Sequence, residues 1–179
     1  MKNKFLYIII GSLLLGATFL MLKNNKKRSD NMKLLYENNV KILEKYLTYL
    51  EDGNIDSLTN LLSEEYLMYR YPVMESKGLI SNKKEIIQEY EKKFEGAKID
   101  IGHTIFLPGI DTINLNLDGS VRVYSAQSWT ISNKVINMSI YETYDFKNDS
   151  IYQTHIFYDH SRFKEIFEKY YYPKEESGF

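Results

Sequence analysis

The sequence predicts an α+β domain in which helices cover one face of a curved antiparallel sheet, behind an apolar N-terminal segment. Three observations lead there. Apolar residues recur with a helical period in several early stretches and again near the end. A period of two dominates from Lys98 to Asp159. Short turns join the strands of that run, which requires antiparallel pairing. Helices first, strands together, then a closing helix is the order of a segregated α+β fold.

The first segment stands apart. Phe5 to Leu22, FLYIIIGSLLLGATFLML, holds 18 residues without a charge, about the minimum for a helix spanning a hydrocarbon core. Lys2 and Lys4 precede it, and Lys23, Lys26, Lys27 and Arg28 follow. The expectation is a single-pass anchor or signal segment over residues 1–22, with membrane contact through residues 5–22. A cleaved signal peptide is the rival reading, but no small-x-small site closes the run. The basic residues after the span point to a cytoplasmic domain. The order of short basic start, apolar run and folded remainder points to export, and an extracytoplasmic domain is the expectation taken. Residues 23–31, KNNKKRSDN, read as a polar linker and solvated tether.

The domain is expected over residues 32–172, with a tail over 173–179. From Met32, Leu35, Tyr36, Val40, Leu43, Tyr46, Leu47 and Leu50 form one helical stripe, and Gly53 suits a left-handed C′ position. Asn54 or Asp56 caps a short second helix carrying Leu58, Leu61 and Leu62. Glu64 to Pro72 reads as extended. Asn82 and Glu85 have capping-box spacing before a third helix with Ile86, Ile87, Tyr90 and Phe94. Strands follow: KIDIGHTIF with Ile99, Ile101, His103 and Ile105 on one face, INLNL turning at Asp118-Gly119, VRVYSAQSWTI, KVINMSIYETYDF, and Ile151 to Tyr158. Asp159 caps a last helix with Phe163, Ile166, Phe167 and Tyr170, and His160 behind it reads as solvated.

Composition removes several function classes. A net charge of −1 gives no field favouring nucleic acid, so none is expected as a partner. With no cysteine, disulfides, thiolate catalysis and Cys-based metal sites are excluded. No cofactor and no metal are expected. His103, His155 and Glu142 could form a two-histidine, one-carboxylate set, but nothing in their spacing supports it.

The chemistry concentrates in the last hairpin. Asn148-Asp149 suits a two-residue turn with positive φ. Strict pairing outward from that turn sets Phe146 against Ile151, Tyr144 against Gln153 and Glu142 against His155. Ser132-Asn133 as a second such turn pairs Trp129 with Ile136, Gln127 with Met138, Ser125 with Ile140 and Val123 with Glu142. One face then collects Val121, Val123, Trp129, Ile131, Ile136, Met138, Ile140, Tyr144, Phe146, Ile151 and Phe157, and must meet the helices. Arg122, Tyr124, Ser128, Thr130, Asn137, Ser139, Thr143, Asp145 and Thr154 fall on the other face. The covered face also receives Ser125, Gln127, Glu142, Gln153 and His155. A lone buried carboxylate costs several kcal/mol unless paired. Either Glu142 and His155 form a cross-strand pair, or this part of the face lines a cavity. Tyr69 and Tyr71 could close the mouth of such a cavity.

This ordered pattern resembles the nuclear transport factor 2-like superfamily, in its SnoaL-like branch of polyketide cyclases and relatives of ketosteroid isomerase. The residues that carry it are YLEDGNIDSLTNLLSEEY, YRYP followed by SNKKEIIQEY, Trp129 before a hairpin, and YDFKNDSIYQTHIFYD. Asn148-Asp149 stands where the family usually has Asp-Gly. The resemblance implies a cone: a curved sheet wrapped around helices, with a pocket at the wide end. The candidate ligand-binding residues are Tyr69, His103, Gln127, Trp129, Glu142, Gln153 and His155. The expected function is binding of a small, largely apolar molecule in the cone pocket of a membrane-tethered domain, without catalysis. The first alternative is an acid–base isomerase, cyclase or hydratase using Glu142 and His155. The second is a structural module forming a homodimer through the outer sheet face.

Overall fold

The computed structural model describes the backbone of residues 2–72, 79–94, 97–131 and 134–158, and the side chains of these apart from 2–15, 17, 72, 79, 93–94 and 131. The closing helix, the Asp159 cap, His160 and the tail lie outside the described residues. The elements run α1 (Lys2–Glu51), α2 (Ile55–Asn60), β1 (Leu62–Pro72), β2 (Leu79–Asn82), α3 (Lys83–Phe94), β3 (Ala97–Ile110), β4 (Leu117–Ile131), β5 (Lys134–Lys147) and β6 (Ser150–Tyr158). One six-stranded sheet has the order β2-β1-β6-β5-β4-β3.

Helix α1 is continuous through residues 23–31, so the expected linker is a solvent-exposed stretch of helix rather than a tether. Among the described residues no helix is long and apolar enough to cross a membrane. Most side chains of the Phe5–Leu22 anchor lie outside the described residues. The stripe expected from Met32 onward is real toward the C-terminal end: Leu43, Tyr46, Leu47 and Leu50 are buried, whereas Leu35 is 40% exposed. Gly53 adopts φ 63° and ends the helix as expected. Asn54 caps α2, its Oδ1 accepting from Ser57 N at 3.1 Å. The capping box of α3 is reciprocal: Asn82 N donates to Glu85 Oε2 at 2.8 Å and Glu85 N to Asn82 Oδ1 at 3.1 Å.

The sheet is not wholly antiparallel. β1 pairs with β6 in parallel, because the chain travels through β2, α3 and three long strands before returning beside β1. Nor is INLNL a strand. Residues 111–116 form the turn between β3 and β4, held by Asp111 Oδ1, which accepts from Ile113 N at 2.8 Å. Asp118-Gly119 lies inside β4, at an irregularity between Pro108–Val121 and Ile110–Leu117. Gly119 has φ 84°, and its carbonyl accepts from the buried Asn39 of α1 at 2.8 Å. That bond ties the long helix across the inner face of the sheet.

The β4–β5 register is the one expected, including Trp129–Ile136, Gln127–Met138 and Val123–Glu142. The β5–β6 register starts as expected, with Asn148 and Asp149 both at positive φ (52° and 57°) and Phe146 opposite Ile151. It then slips. Asp145 pairs with Gln153, which leaves Tyr152 as an extra residue in β6. One inserted residue reverses every side chain beyond it. Glu142 therefore faces Ile156, and Thr143 faces His155. Thr154 moves to the inner face, is fully buried, and accepts from Tyr66 Oη at 3.0 Å. Gln153, His155 and Phe157 move to the outer face.

A second bulge acts likewise in β3. Ile101 pairs with Gln127 and Thr104 with Ser125, so Gly102 and His103 together oppose Ala126. Beyond it Phe106 faces inward, while His103, Ile105 and Leu107 are exposed.

Deleting Tyr152 should remove the bulge and keep the faces, since Ile151 already lies opposite Phe146 and Gln153 opposite Asp145. Gln153 and His155 would stay outside, and Thr154 and Ile156 inside. Urea denaturation should place that variant within about 1 kcal/mol of the parent, because no polar group enters the core. A loss of more than about 3 kcal/mol would mean that removing Tyr152 turns over the side chains beyond it.

Candidate functional site

The inner face of the sheet forms a row of residues at one level. Arg70 of β1 lies beside Ile156 of β6, Ile156 beside Glu142 of β5, and Glu142 beside Val123 of β4. A cavity of about 60 Å³ opens over this row, lined by Leu50, Met68, Trp129, Met138, Ile140 and Ile156 on its apolar side. Glu142, Arg70, Gln127, Tyr90 and Tyr158 supply its polar groups. At about 10–15 Å³ per water, this is space for a few waters or one compact ligand.

Glu142 is 6% exposed, and its Oε2 has no hydrogen-bond partner among the described residues. Burial pushes the carboxyl up to about 7, because the ionised form loses its hydration. The neighbouring Tyr144 hydroxyl opposes that shift, yet the two groups do not close a hydrogen bond of normal geometry. Burial also holds the Tyr144 phenol well above its usual range, with the Glu142 carboxylate adding to the effect. Near neutral pH the site therefore holds a carboxyl that is part acid and part base beside a phenol that stays protonated.

The cation that could neutralise Glu142 is engaged elsewhere. Arg70 is 8% exposed, and its guanidinium is bonded to Glu89 of α3 and to Ser81 Oγ of β2, the latter at 3.0 Å. Ile156 stands between the two on the sheet. Two strand spacings of about 4.8 Å separate their backbones. Gln127 is fixed at both ends: its Nε2 donates to Ser125 Oγ at 3.1 Å, and its Oε1 accepts from Trp129 Nε1 at 3.1 Å. A tyrosine cluster supports the floor. Tyr46 and Tyr90 share a hydroxyl hydrogen bond at 2.9 Å, and the Tyr46 ring meets Tyr144 edge-on at 5.8 Å.

Of the seven residues expected around the site, the structure gathers Gln127, Trp129 and Glu142. It places the other four on the outer face, because the two bulges reverse His155, Gln153 and His103, and the phase of β1 turns Tyr69 outward. The expected Glu142–His155 pair does not exist. His155 instead stacks on Tyr69 (4.7 Å between centroids, 12°) and bonds through Nδ1 to Tyr71 Oη at 3.0 Å. Gln153 holds its other ring nitrogen.

Arg70, Met68, Tyr90, Ile156 and Tyr158 were missed as site residues. A signal for Arg70 was present. Tyr66, Met68 and Arg70 alternate with Leu67, Tyr69 and Tyr71, and only the buried, apolar Tyr66 and Met68 decide the phase. Among the described residues no group of three or more histidines and acids is placed to hold a metal ion.

The raised Glu142 acidity makes stability depend on pH. The folded state binds its proton more tightly than the unfolded chain, whose carboxyl titrates near 4.5. Stability from this group is full below 4.5, falls as pH rises toward 7, and levels above that. The span corresponds to about 3 kcal/mol. Glu142→Gln should remove this slope and be more stable than the parent at pH 8. Denaturation at pH 5 and pH 8 checks it; parallel curves for the two proteins would refute a buried, neutral Glu142.

No family model matches the sequence, and no curated protein matches it. Solved structures do match the fold. BvnE pinacolase from Penicillium brevicompactum is similar with a TM-score of 0.61 and 12% identity, over 75% of this chain and 92% of that one. An LEH-like epoxide hydrolase of M. tuberculosis is similar with a TM-score of 0.56 and 11% identity, over 75% and 92%. An NTF2-like protein from Burkholderia xenovorans is similar with a TM-score of 0.55 and 10% identity, over 72% and 95%. The chain thus has the NTF2-like fold that its sequence resembles.

Proposed function

We propose that this domain binds a small, largely apolar molecule in the cavity between sheet and helices, with Glu142 as its polar anchor. One observation carries the reading. A buried carboxyl, one oxygen of which lacks a partner among the described residues, lines a largely apolar cavity. A buried polar group without a hydrogen bond costs about 1–3 kcal/mol, and a ligand that donates to Glu142 recovers that cost. Small-molecule sites combine apolar walls with a few such groups.

A second reading is favoured by the acidity of the same residue. A carboxyl poised near 7 matches the requirement for a general acid or base at neutral pH. Acid–base isomerisation, cyclisation or hydration would use Glu142 to move the proton and the Tyr144 or Tyr90 hydroxyl to face developing negative charge. His155 has no part in it. Epoxide hydrolase and pinacolase among the similar structures fit this class of chemistry, on a fold that also serves binding alone.

The domain is further proposed to be held at a membrane, on its outer side, through residues 5–22. The support is the uncharged run of 18 residues with basic flanks. Full-length protein should stay in the membrane pellet after an alkaline wash; uncleaved protein in the supernatant would overturn the tether.

A thermal-shift screen of compact apolar alcohols, ketones and epoxides tests the site. A ligand at one hundred times its Kd should stabilise the parent by about 2.7 kcal/mol. Met138→Trp, which fills the cavity, should abolish that stabilisation, and Glu142→Gln should weaken it at least tenfold in affinity. Incorporation of solvent deuterium into the bound compound, lost in Glu142→Gln, separates catalysis from binding. Ligand stabilisation unchanged in both variants would place binding elsewhere.

A further inference from the structure

The turn between β3 and β4 is apolar where it is most exposed. Ile113 is 93% exposed and Leu115 78%. Leu115 also has φ 58°, a left-handed backbone that Asn or Gly adopts at less cost than leucine. The turn is nonetheless firmly built. Asp111 Oδ1 accepts from Ile113 N at 2.8 Å and Oδ2 from Asn114 Nδ2 at 2.6 Å. Leu115 N donates to Asp111 O at 2.8 Å, and Asn116 N to Asn114 Oδ1 at 2.9 Å. These bonds hold two large apolar side chains outward on a strained backbone, an arrangement that points to a partner covering them.

We infer that this turn is a membrane-docking tip: Ile113 and Leu115 enter the interface of an anionic bilayer, while Lys23, Lys26, Lys27 and Arg28 of α1 meet its headgroups. Placement is the first argument. The β3–β4 hairpin runs along α1 toward the N-terminus of the helix. Glu51 accepts from Ile101 N, Asn39 donates to Gly119 O, and Asn25, Arg28, Ser29 and Met32 share a crevice with Asn116 and Leu117. Residues 111–116 are thus the end of the hairpin nearest the apolar run Phe5–Leu22. Asn25 is three residues past Leu22, about 4.5 Å along the helix axis. The headgroup layer is roughly 5–8 Å deep on each side of the hydrocarbon core. A turn level with Asn25 falls within that layer when Leu22 ends the membrane segment.

Charge and continuity are the second argument. Lys23, Lys26, Lys27 and Arg28 are exposed, and so are Phe19, Leu20, Met21 and Leu22 before them. The turn packs on the side of α1 that carries Asn25, Arg28, Ser29 and Met32, and Lys23, Lys26 and Lys27 lie on the opposite side. Within residues 23–31 and 111–116, four cations stand against two acids, Asp30 and Asp111, a net charge of +2 on a chain of net charge −1. Segments that lie on a bilayer combine apolar residues at the boundary with cations for anionic lipid. The inference rests on the membrane tether proposed above, and the experiment reads the two separately.

The chain has no cysteine, so one introduced Cys carries one fluorescent label. In the full chain, Thr112→Cys labels the tip, and Val135→Cys labels an exposed site that pairs with Thr130 at the opposite end of β4. The protein is floated on vesicles of equal parts phosphatidylglycerol and phosphatidylcholine and met with aqueous iodide or with lipids bearing a nitroxide. The tip label should be at least fivefold less quenched by iodide than the Val135 label, and it alone should be quenched by the nitroxide. Leu115→Asn relieves the backbone strain, so stability should not fall, yet protection of the tip should drop at least twofold. Lys23→Gln, Lys26→Gln, Lys27→Gln and Arg28→Gln together should act likewise. An alkaline wash of the same vesicles reads the tether alone. A chain that survives the wash with both labels equally open to iodide would overturn the docking and keep the tether. A chain released by the wash but shielded at the tip while floated would keep the docking and overturn the tether. A chain that never floats would overturn both.

Discussion

A strand has two faces, and the bulge at Tyr152 in β6 decides which side chains this protein buries. Strict pairing through Tyr152 would set Glu142 against His155, and skipping it sets Glu142 against Ile156. The consequences run through the molecule. Thr154 reaches Tyr66, Ile156 separates Arg70 from Glu142, and His155 leaves for an aromatic stack on the outside. The inner face keeps a carboxyl and loses the imidazole that could have neutralised it. Bulges serve this purpose in sheets: they bend the strand and re-aim the side chains that follow.

The carboxyl left behind is tolerated because it does not have to be charged. Two responses to burial compete: recruit a cation, or take up a proton. Among the described residues the one cation lining the cavity, Arg70, is bonded to Glu89 and Ser81, which ties α3 and β2 to β1. Protonation therefore answers the cost at Glu142, and a group that titrates near neutrality results. Stability is lost at higher pH for the same reason that a proton-handling group becomes available. Burial likewise holds the phenols of Tyr46, Tyr66, Tyr90 and Tyr144 above their usual range, so this cluster offers the cavity hydroxyls rather than charge.

Much of the fold was legible in the sequence. Gly53, the Asn82–Glu85 box and the Asn148-Asp149 turn each specify a backbone geometry locally, and each appears as read. The β4–β5 register was legible from the short spacing between Ile131 and Lys134, beyond which eleven pairs run without interruption. Trp129, Gln127 and Glu142 came out of that register on the correct face. The errors share a cause. Bulges at Tyr152 and at Gly102-His103 leave no mark in an alternating pattern, because aromatic and β-branched residues suit both faces of a sheet. Arg70 was missed because a charged residue in a strand reads as outward unless its partners are known, and Glu89 is 19 positions away. The parallel β1–β6 pair was invisible because it joins segments more than 80 residues apart, with no turn to announce it.

Everything proposed for the site rests on Glu142 being a neutral acid in the folded protein at mildly acidic pH. Carbon-13 labelling of the glutamate carboxyls, followed by NMR titration of the folded chain, measures this directly, with Glu142→Gln assigning the resonance. A midpoint near 7 for Glu142, well above the other glutamates, is the predicted result. A midpoint in the ordinary range near 4.5 would show that water or a partner already satisfies the carboxylate, and the site would have to be sought elsewhere.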